Sequence, residues 1–432
     1  MQNQEKKQSK REYRSAMALI ALCWLVYSSS YIGRINYNAN IIRIQDYFSI
    51  DNNSEMGIVT TMFFFAYGIG QVVNGIWCKK YNLKWIVFTS LMVSGVINLV
   101  IPFLPVITPI KYLWCVNGFL LSVLWPSLIR LLAEVLPKKY MGKSSLIMGT
   151  SAAVGTFFVY GTSALYALFT DFKAAFLTAA IMLIAVAVLW ISSVSNLVSA
   201  QQSERVETID APTASENNAP TPKRRTRGIM LTVCMLAFFG IFTNLIKDGL
   251  GTWVPSILKE NYGIQDSLSI ILTLALPIVA ILGNALAVML YEKLRDFVYD
   301  CALCFSLSAI FIVIVINSFS LDGWWLLLLC FTVVTLLVSA CNSIITSVFP
   351  LFMKGKVNSG LIAGVLNGFC YVGSTLSTYG LAMIADKSGW MAVFETLLYA
   401  CVAVMVAGVV YFVIKKLVLR ADSFDKKDEK KI

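Results

Sequence analysis

Twelve apolar stretches, each close to the length that crosses a bilayer, leave this 432-residue chain few ways to fold. About 20 apolar residues at 1.5 Å per residue span a hydrocarbon core about 30 Å thick. Six such stretches lie in the first half: Ala16 to Ile32, Met56 to Trp77, Trp85 to Leu104, Tyr112 to Leu132, Leu146 to Phe169 and Ala174 to Trp190. Six more follow: Ile229 to Ile246, Leu268 to Tyr291, Val298 to Ile316, Trp324 to Phe349, Leu361 to Ile384 and Ala392 to Val413. Backbone in hydrocarbon must satisfy its own hydrogen bonds, so these runs read as helices. The expected fold is an all-α membrane protein with 12 transmembrane helices in two six-helix, pseudo-symmetric bundles. Its segments are a cytoplasmic tail (1–15), an N-terminal bundle (16–194), a linker (195–227), a C-terminal bundle (228–416) and a second cytoplasmic tail (417–432).

The charges agree with that reading. Only 14% of residues are charged, against about 25% in a soluble domain, while 58% are hydrophobic. The net charge of +11 would raise nucleic acid as a partner for a soluble protein, but here Lys and Arg keep to one side. Most of the 35 fall in the two tails and alternate loops. The remaining loops hold Arg43, Lys111, Lys173, Lys259 and Lys387, and two cations, Arg34 and Lys247, remain, one in the first helix of each half. The asymmetry places both termini in the cytoplasm, with the lipid bilayer as the partner and no nucleic acid. The basic start leads into a first span that stays as an anchor. A multi-pass protein of the cell membrane is expected.

Residues 195–227, rich in Ser, Thr, Pro, Asn and charge, read as a flexible linker, and their PKRRTR end as a topology determinant of the following span. Across this linker the halves repeat each other. Arg34 lies twenty residues after Arg14, and Lys247 lies twenty residues after Arg227, so each half meets one cation at the same helical depth.

Twenty residues of helix are about 30 Å, so one reading of both cations is snorkelling at the outer boundary. Their neighbours offer another. Tyr27, Tyr31, Arg34 and Asn38 follow i, i+4, i+7, i+11 spacing and gather hydroxyls, a guanidinium and an amide on one helix face. In the seventh span Asn244, Lys247 and Gly251 share a face, with Asp248 beside Lys247 as an ion-pair partner or proton carrier. A cation in hydrocarbon costs roughly 2.5–3.5 kcal/mol on insertion scales, which an anionic substrate would offset. Arg34 offers a planar fork and Lys247 a point charge, a pair suited to one anion. Gln71, Asn74, Trp125, Asn342, Asn367 and Tyr371 are polar or amphipathic positions within spans that either tie helices together or touch substrate. Glu395, a few residues past Trp390, is either a proton site or an interfacial carboxylate.

Other chemistry is not signalled. The chain has no histidine, so a coupled proton would need a carboxylate. Its ten cysteines fall mostly within spans and lack metal-ligand spacing. There is no P-loop, dinucleotide fingerprint or nucleophile–base constellation, so neither cofactor, metal nor enzymatic activity is expected.

With these residues in view, the chain resembles the major facilitator superfamily, and within it the organophosphate:phosphate antiporters that carry glycerol-3-phosphate or hexose phosphates. The first-half phrase YSSSYIGRIN, with Tyr27, Tyr31, Arg34 and Asn36, resembles the family's first helix, whose arginine ligates phosphate. WPSLIRLLAEVLPKKYMG, from Trp125 to Gly142, resembles its fourth helix and following loop, and NLIKDGLGTWVP, from Asn244 to Pro255, its seventh. Gly360 to Gly373 resembles the eleventh helix. Lys247 stands where the family has a second arginine, Ala152 where it has a histidine, Gln71 where the glycerol-phosphate type has a lysine, and Ile35 follows the first-helix arginine. Lys79 replaces a usual aspartate in loop 2-3, while Glu292 and Lys293 keep an acidic–basic pair in loop 8-9.

The resemblance implies a monomeric secondary transporter of a small organic anion working by alternating access, with phosphate or a proton as coupling ion. Reduced positive charge points toward a carboxylate, such as a sugar acid, or a monoanionic phosphate. Substrate binding is expected from Arg34, Lys247, Tyr27, Tyr31, Asn244, Gln71, Trp125, Asn367 and Tyr371, and coupling from Asp248 or Glu395. The alternative is a membrane sensor that binds a sugar phosphate and signals without transport.

Overall fold

A computed structural model describes residues 2–77, 82–206, 223–319, 323–353 and 359–428. Lys79, residues 207–222 of the linker and the end of the C-terminal tail lie outside the described residues. The described residues are almost entirely helical, with no strand among them. Ten helices are each long and apolar enough for one crossing: α1 Arg11–Ala39, α2 Asn53–Asn74, α3 Leu83–Phe103, α4 Thr108–Val135, α5 Ile147–Phe169, α6 Lys173–Gln201, α7 Ile229–Tyr262, α8 Asp266–Leu294, α9 Phe297–Ser318 and α10 Trp324–Val348. An eleventh apolar helix, Ile362–Lys416, has 55 residues, far more than one crossing requires. Gly389 interrupts it at φ 78°, ψ 173°, a backbone open to glycine, and divides it into α11 (362–388) and α12 (390–416). Among the described residues the spans therefore number twelve.

Helix ends run past the apolar runs. The sixth helix continues to Val206, well into the stretch read as linker, and the helix containing α7 begins at Lys223. Polar caps set other boundaries. Asn82 accepts from the Lys84 amide before α3, and Asp296 accepts from the amides of Val298 and Tyr299 before α9. Asp296 also receives the Lys415 ammonium at 2.6 Å.

The chain forms two compact units. The first comprises residues 1–215, 251–278 and 378–383, the second residues 216–250, 279–377 and 384–432. In the first unit α2 packs on α4, α3 on α6, and α1 on both α5 and α6. Its centre is aromatic: Trp114 lies 5.7 Å from Tyr37, 5.9 Å from Phe63 and 5.8 Å from Phe176, centroid to centroid. Because lipid is as apolar as leucine, helices in a membrane associate through such packing and through interhelical hydrogen bonds. Loop cations in this unit are paired: Lys111 with Glu55 at 3.1 Å, Lys173 with Asp171 at 3.7 Å, and Lys259 with Asp46 at 2.6 Å and Asp266 at 3.2 Å. In the second unit α9 packs on α10.

Candidate functional site

The first-half candidates converge on α1. Arg34 is partly buried, and its guanidinium carbon lies 4.6 Å from the ring centroid of Tyr31, 4.8 Å from Tyr67 and 5.5 Å from Phe63. Three π faces around one guanidinium lower the cost of holding charge within a span and limit how it can turn. Two turns before Arg34, Tyr27 packs edge-on to Tyr31 at 5.4 Å and against Trp125 of α4 at 4.5 Å. The four candidates Tyr27, Tyr31, Arg34 and Trp125 thus form one continuous cluster.

A buried polar knot sets the position of that cluster. Asn36 donates to Asn98 of α3 at 2.7 Å, and Asn117 of α4 donates to the Gly33 carbonyl at 2.9 Å. Asn98 donates onward to the Ser94 carbonyl at 2.9 Å, and Ser94 donates to Asn117 at 2.6 Å. These bonds grip α1 immediately before and after Arg34. On another side, α5 approaches so closely at Gly155 that an added Cβ would lie 2.4 Å from the Ser28 carbonyl oxygen. Such contacts seat Arg34 among rigid elements. Gln71 and Asn74 of α2 donate to Ser122 of α4 at 3.1 and 3.0 Å, so both tie these helices together. Asn38 accepts from Thr60 at 2.7 Å and donates to Thr252 at 3.2 Å.

The second unit builds its candidate cluster from α7 and α11. These helices approach at Gly373, where a Cβ would lie 1.9 Å from the Ile241 carbonyl oxygen. That approach brings Ser374 between two residues of α7. Asn244 donates to the Ser374 hydroxyl at 3.0 Å, and this hydroxyl donates to Asp248 Oδ2 at 2.5 Å. Asp248 Oδ1 lies 3.6 Å from the Lys247 ammonium. Asn244 Oδ1 is buried without a hydrogen-bond partner among the described residues. Asn367 and Tyr371 follow the same stripe of α11 as Ser374, at i, i+4 and i+7, and are partly buried. Glu395 is exposed, near the start of α12. Asn342 lies at the end of α10, where its carbonyl accepts from Thr346.

Several members were not apparent from sequence. Tyr67 and Phe63 reach Arg34 from α2, and Ser374 reaches Asp248 from α11. Each contact depends on the register of two helices distant in sequence, and no spacing rule within one helix reveals it.

The model of the Major Facilitator Superfamily matches residues 23–378. The chain belongs to the Major Facilitator Superfamily. Its relatives include the membrane sensor protein UhpC of Escherichia coli, 19% identical over 391 residues and covering 87% of each chain. The probable hexose phosphate transport protein of Chlamydia pneumoniae is 21% identical, over 82% of this chain and 81% of its own length. Sugar phosphate exchanger 3 of Homo sapiens is also 21% identical, over 84% and 82%. Among solved structures, a bacterial homologue of the human lysosomal transporter Spinster superposes with TM-score 0.68 at 14% identity, over 94% of this chain and 97% of that one. The fold is therefore that of this superfamily's transporters, twelve helices in two groups of six, and the sequence relatives are of the organophosphate:phosphate antiporter type.

Proposed function

We propose that this multi-pass membrane protein is a secondary transporter of a small organic anion, a phosphate ester or a sugar acid, and works by alternating access. Arg34 and Lys247 are its cationic substrate-binding residues. Tyr27, Tyr31 and Trp125 supply aromatic surface, and Asn244, Asn367 and Tyr371 supply polar contacts. The observation that carries this reading is that each half has one cation twenty residues after a basic residue, and that each cation lies inside an organised cluster and not at a loop. Relatives named for hexose phosphate transport and sugar phosphate exchange support the substrate class. The distribution of Lys and Arg supports cytoplasmic termini and residence in the cell membrane. Exchange against phosphate and symport with a proton are both compatible with these residues, and a monomer contains every residue named.

A second reading has one specific observation behind it: UhpC, which matches this chain along most of its length, is named as a membrane sensor. Proteoliposomes containing purified protein separate the two readings. Accumulation of labelled glucose 6-phosphate or gluconate, or its exchange against internal phosphate, supports transport. Saturable binding with neither accumulation nor exchange supports a sensor and rules transport out.

A further inference from the structure

The helix that carries Lys247 has a gap in its own hydrogen bonding. Pro255 lies inside α7 and has no N–H, so the carbonyl of Gly251, four residues earlier, loses the donor that a regular helix would give it. Within a membrane such a carbonyl must be satisfied from a neighbouring element. The Tyr160 hydroxyl of α5 donates to it at 2.9 Å. Tyr160 belongs to a buried cluster with Ile32 of α1 and Ile270 of α8, so its hydroxyl needs a partner as much as the carbonyl does. A Cβ added at Gly251 would meet nothing within 4 Å, so packing does not call for glycine there; ahead of a proline, glycine eases a bend of the backbone. The next residue, Thr252, accepts from Asn38 of α1 at 3.2 Å, so α7 is held from α5 and from α1 at the gap. Gly251 lies one turn beyond Lys247 on the same face of α7.

A hydroxyl in place of a main-chain N–H does two things. It satisfies the carbonyl, and it makes the course of α7 at that point depend on a side chain of another helix. We propose that Tyr160 is a positioning residue for Lys247: its hydroxyl replaces the helix bond that Pro255 removes, and so fixes the direction in which α7 presents the ammonium to the substrate. The ring of Tyr160 supplies packing that a phenylalanine would keep, whereas the O–H supplies the position. A main-chain N–H at residue 255 would hold the Gly251 carbonyl equally well, so the two donors are interchangeable for binding. This deepens the transport reading and rests on it.

The test is a double-mutant cycle on purified full-length protein in detergent, read by equilibrium binding of labelled glucose 6-phosphate and by the apparent melting temperature without ligand. Tyr160→Phe removes the donor and should weaken binding about five-fold, the effect of one neutral hydrogen bond, and lower the melting temperature. Pro255→Ala gives residue 255 an N–H and should bind as the wild type does, because a carbonyl accepts two hydrogen bonds. In Tyr160→Phe/Pro255→Ala the restored main-chain bond should return binding to within about two-fold of the wild type, and the melting temperature to that of Pro255→Ala alone. An equal loss from Tyr160→Phe with proline or alanine at 255 overturns the proposal, since the hydroxyl would then act elsewhere. A lower melting temperature with unchanged binding in Tyr160→Phe overturns it too, because the bond would then serve stability alone. If Tyr160→Phe fails to fold, the double variant decides: folded protein of wild-type affinity supports the proposal, and failure to fold counts against it. Wild-type protein that binds no glucose 6-phosphate overturns the phosphate-ester reading and the positioning role with it, while the melting-temperature cycle, which needs no substrate, separately tests the link between Tyr160 and Pro255.

Discussion

Arg34 and Lys247 occupy matching positions in two related halves, yet their surroundings differ in kind. Arg34 lies among the faces of Tyr31, Tyr67 and Phe63, which attract a cation through their quadrupoles. Lys247 lies beside Asp248, whose carboxylate faces the ammonium at 3.6 Å. Each half thus holds one cation, one against aromatic rings and one beside a carboxylate. An aromatic enclosure orients a planar fork, whereas a neighbouring carboxylate pairs with a point charge. Under the proposed function the first cluster meets the anion with a fork held by rings, and the second with a cation shared with a carboxylate.

That contrast can be broken at graded cost. The largest effect is expected from Arg34→Lys, which keeps the charge but removes the fork: affinity for a phosphate ester should fall about 100-fold, as for a lost bidentate charged contact of about 3 kcal/mol. Equilibrium binding of labelled glucose 6-phosphate in detergent checks this. Equal affinity in the variant would mean that charge alone matters in the first half. Lys247→Gln removes the cation and leaves Asp248 in place, and should weaken binding of glucose 6-phosphate about 10-fold. An unchanged affinity would remove Lys247 from substrate recognition. A smaller effect is expected from Tyr67→Leu. Removing one π face of three at about 0.5–1 kcal/mol should weaken binding two- to five-fold in the same assay, leaving any proton coupling unchanged.

The knot below Arg34 sharpens the comparison from the side of stability. Asn98 is fully buried and bonds Asn36, Gly33 and Ser94. Replacing it with Ala leaves buried partners unsatisfied and should cost about 1–3 kcal/mol, read as a lower apparent melting temperature of the purified protein. Added glucose 6-phosphate should raise that temperature by mass action in both wild type and variant if Arg34 is still correctly seated.

Much of the fold was legible because the bilayer constrains it. Spanning helices must be apolar for about 20 residues, so the twelve spans stand out in the sequence, and even the two that form one continuous 55-residue helix are separated by the charged and glycine-containing segment around Gly389. The Tyr27, Tyr31, Arg34 face was legible for a similar reason: one helical period places those residues together before any tertiary contact forms. Helix ends were less so. The sixth helix runs on to Val206 through Ser, Asn and Gln that read as linker, since hydrogen bonding within a helix tolerates polar side chains where water is available. Partners across helices were the least accessible. Neighbours at i and i+1 do not normally face one another on a helix, so adjacency alone did not guarantee the Lys247–Asp248 contact, and Ser374 carries no mark of its role in its own sequence neighbourhood. Asp300 is comparable: its position in the first turn of α9 gives no sign that the folded chain buries it with neither carboxylate oxygen bonded among the described residues.

The most direct measurement is uptake of labelled glucose 6-phosphate by proteoliposomes containing wild type, Arg34→Gln or Lys247→Gln at matched, correctly inserted protein density. Substrate binding by both Arg34 and Lys247 predicts accumulation in the wild type and a fall of at least ten-fold in each single variant. Accumulation that continues at the wild-type rate in both variants would contradict it.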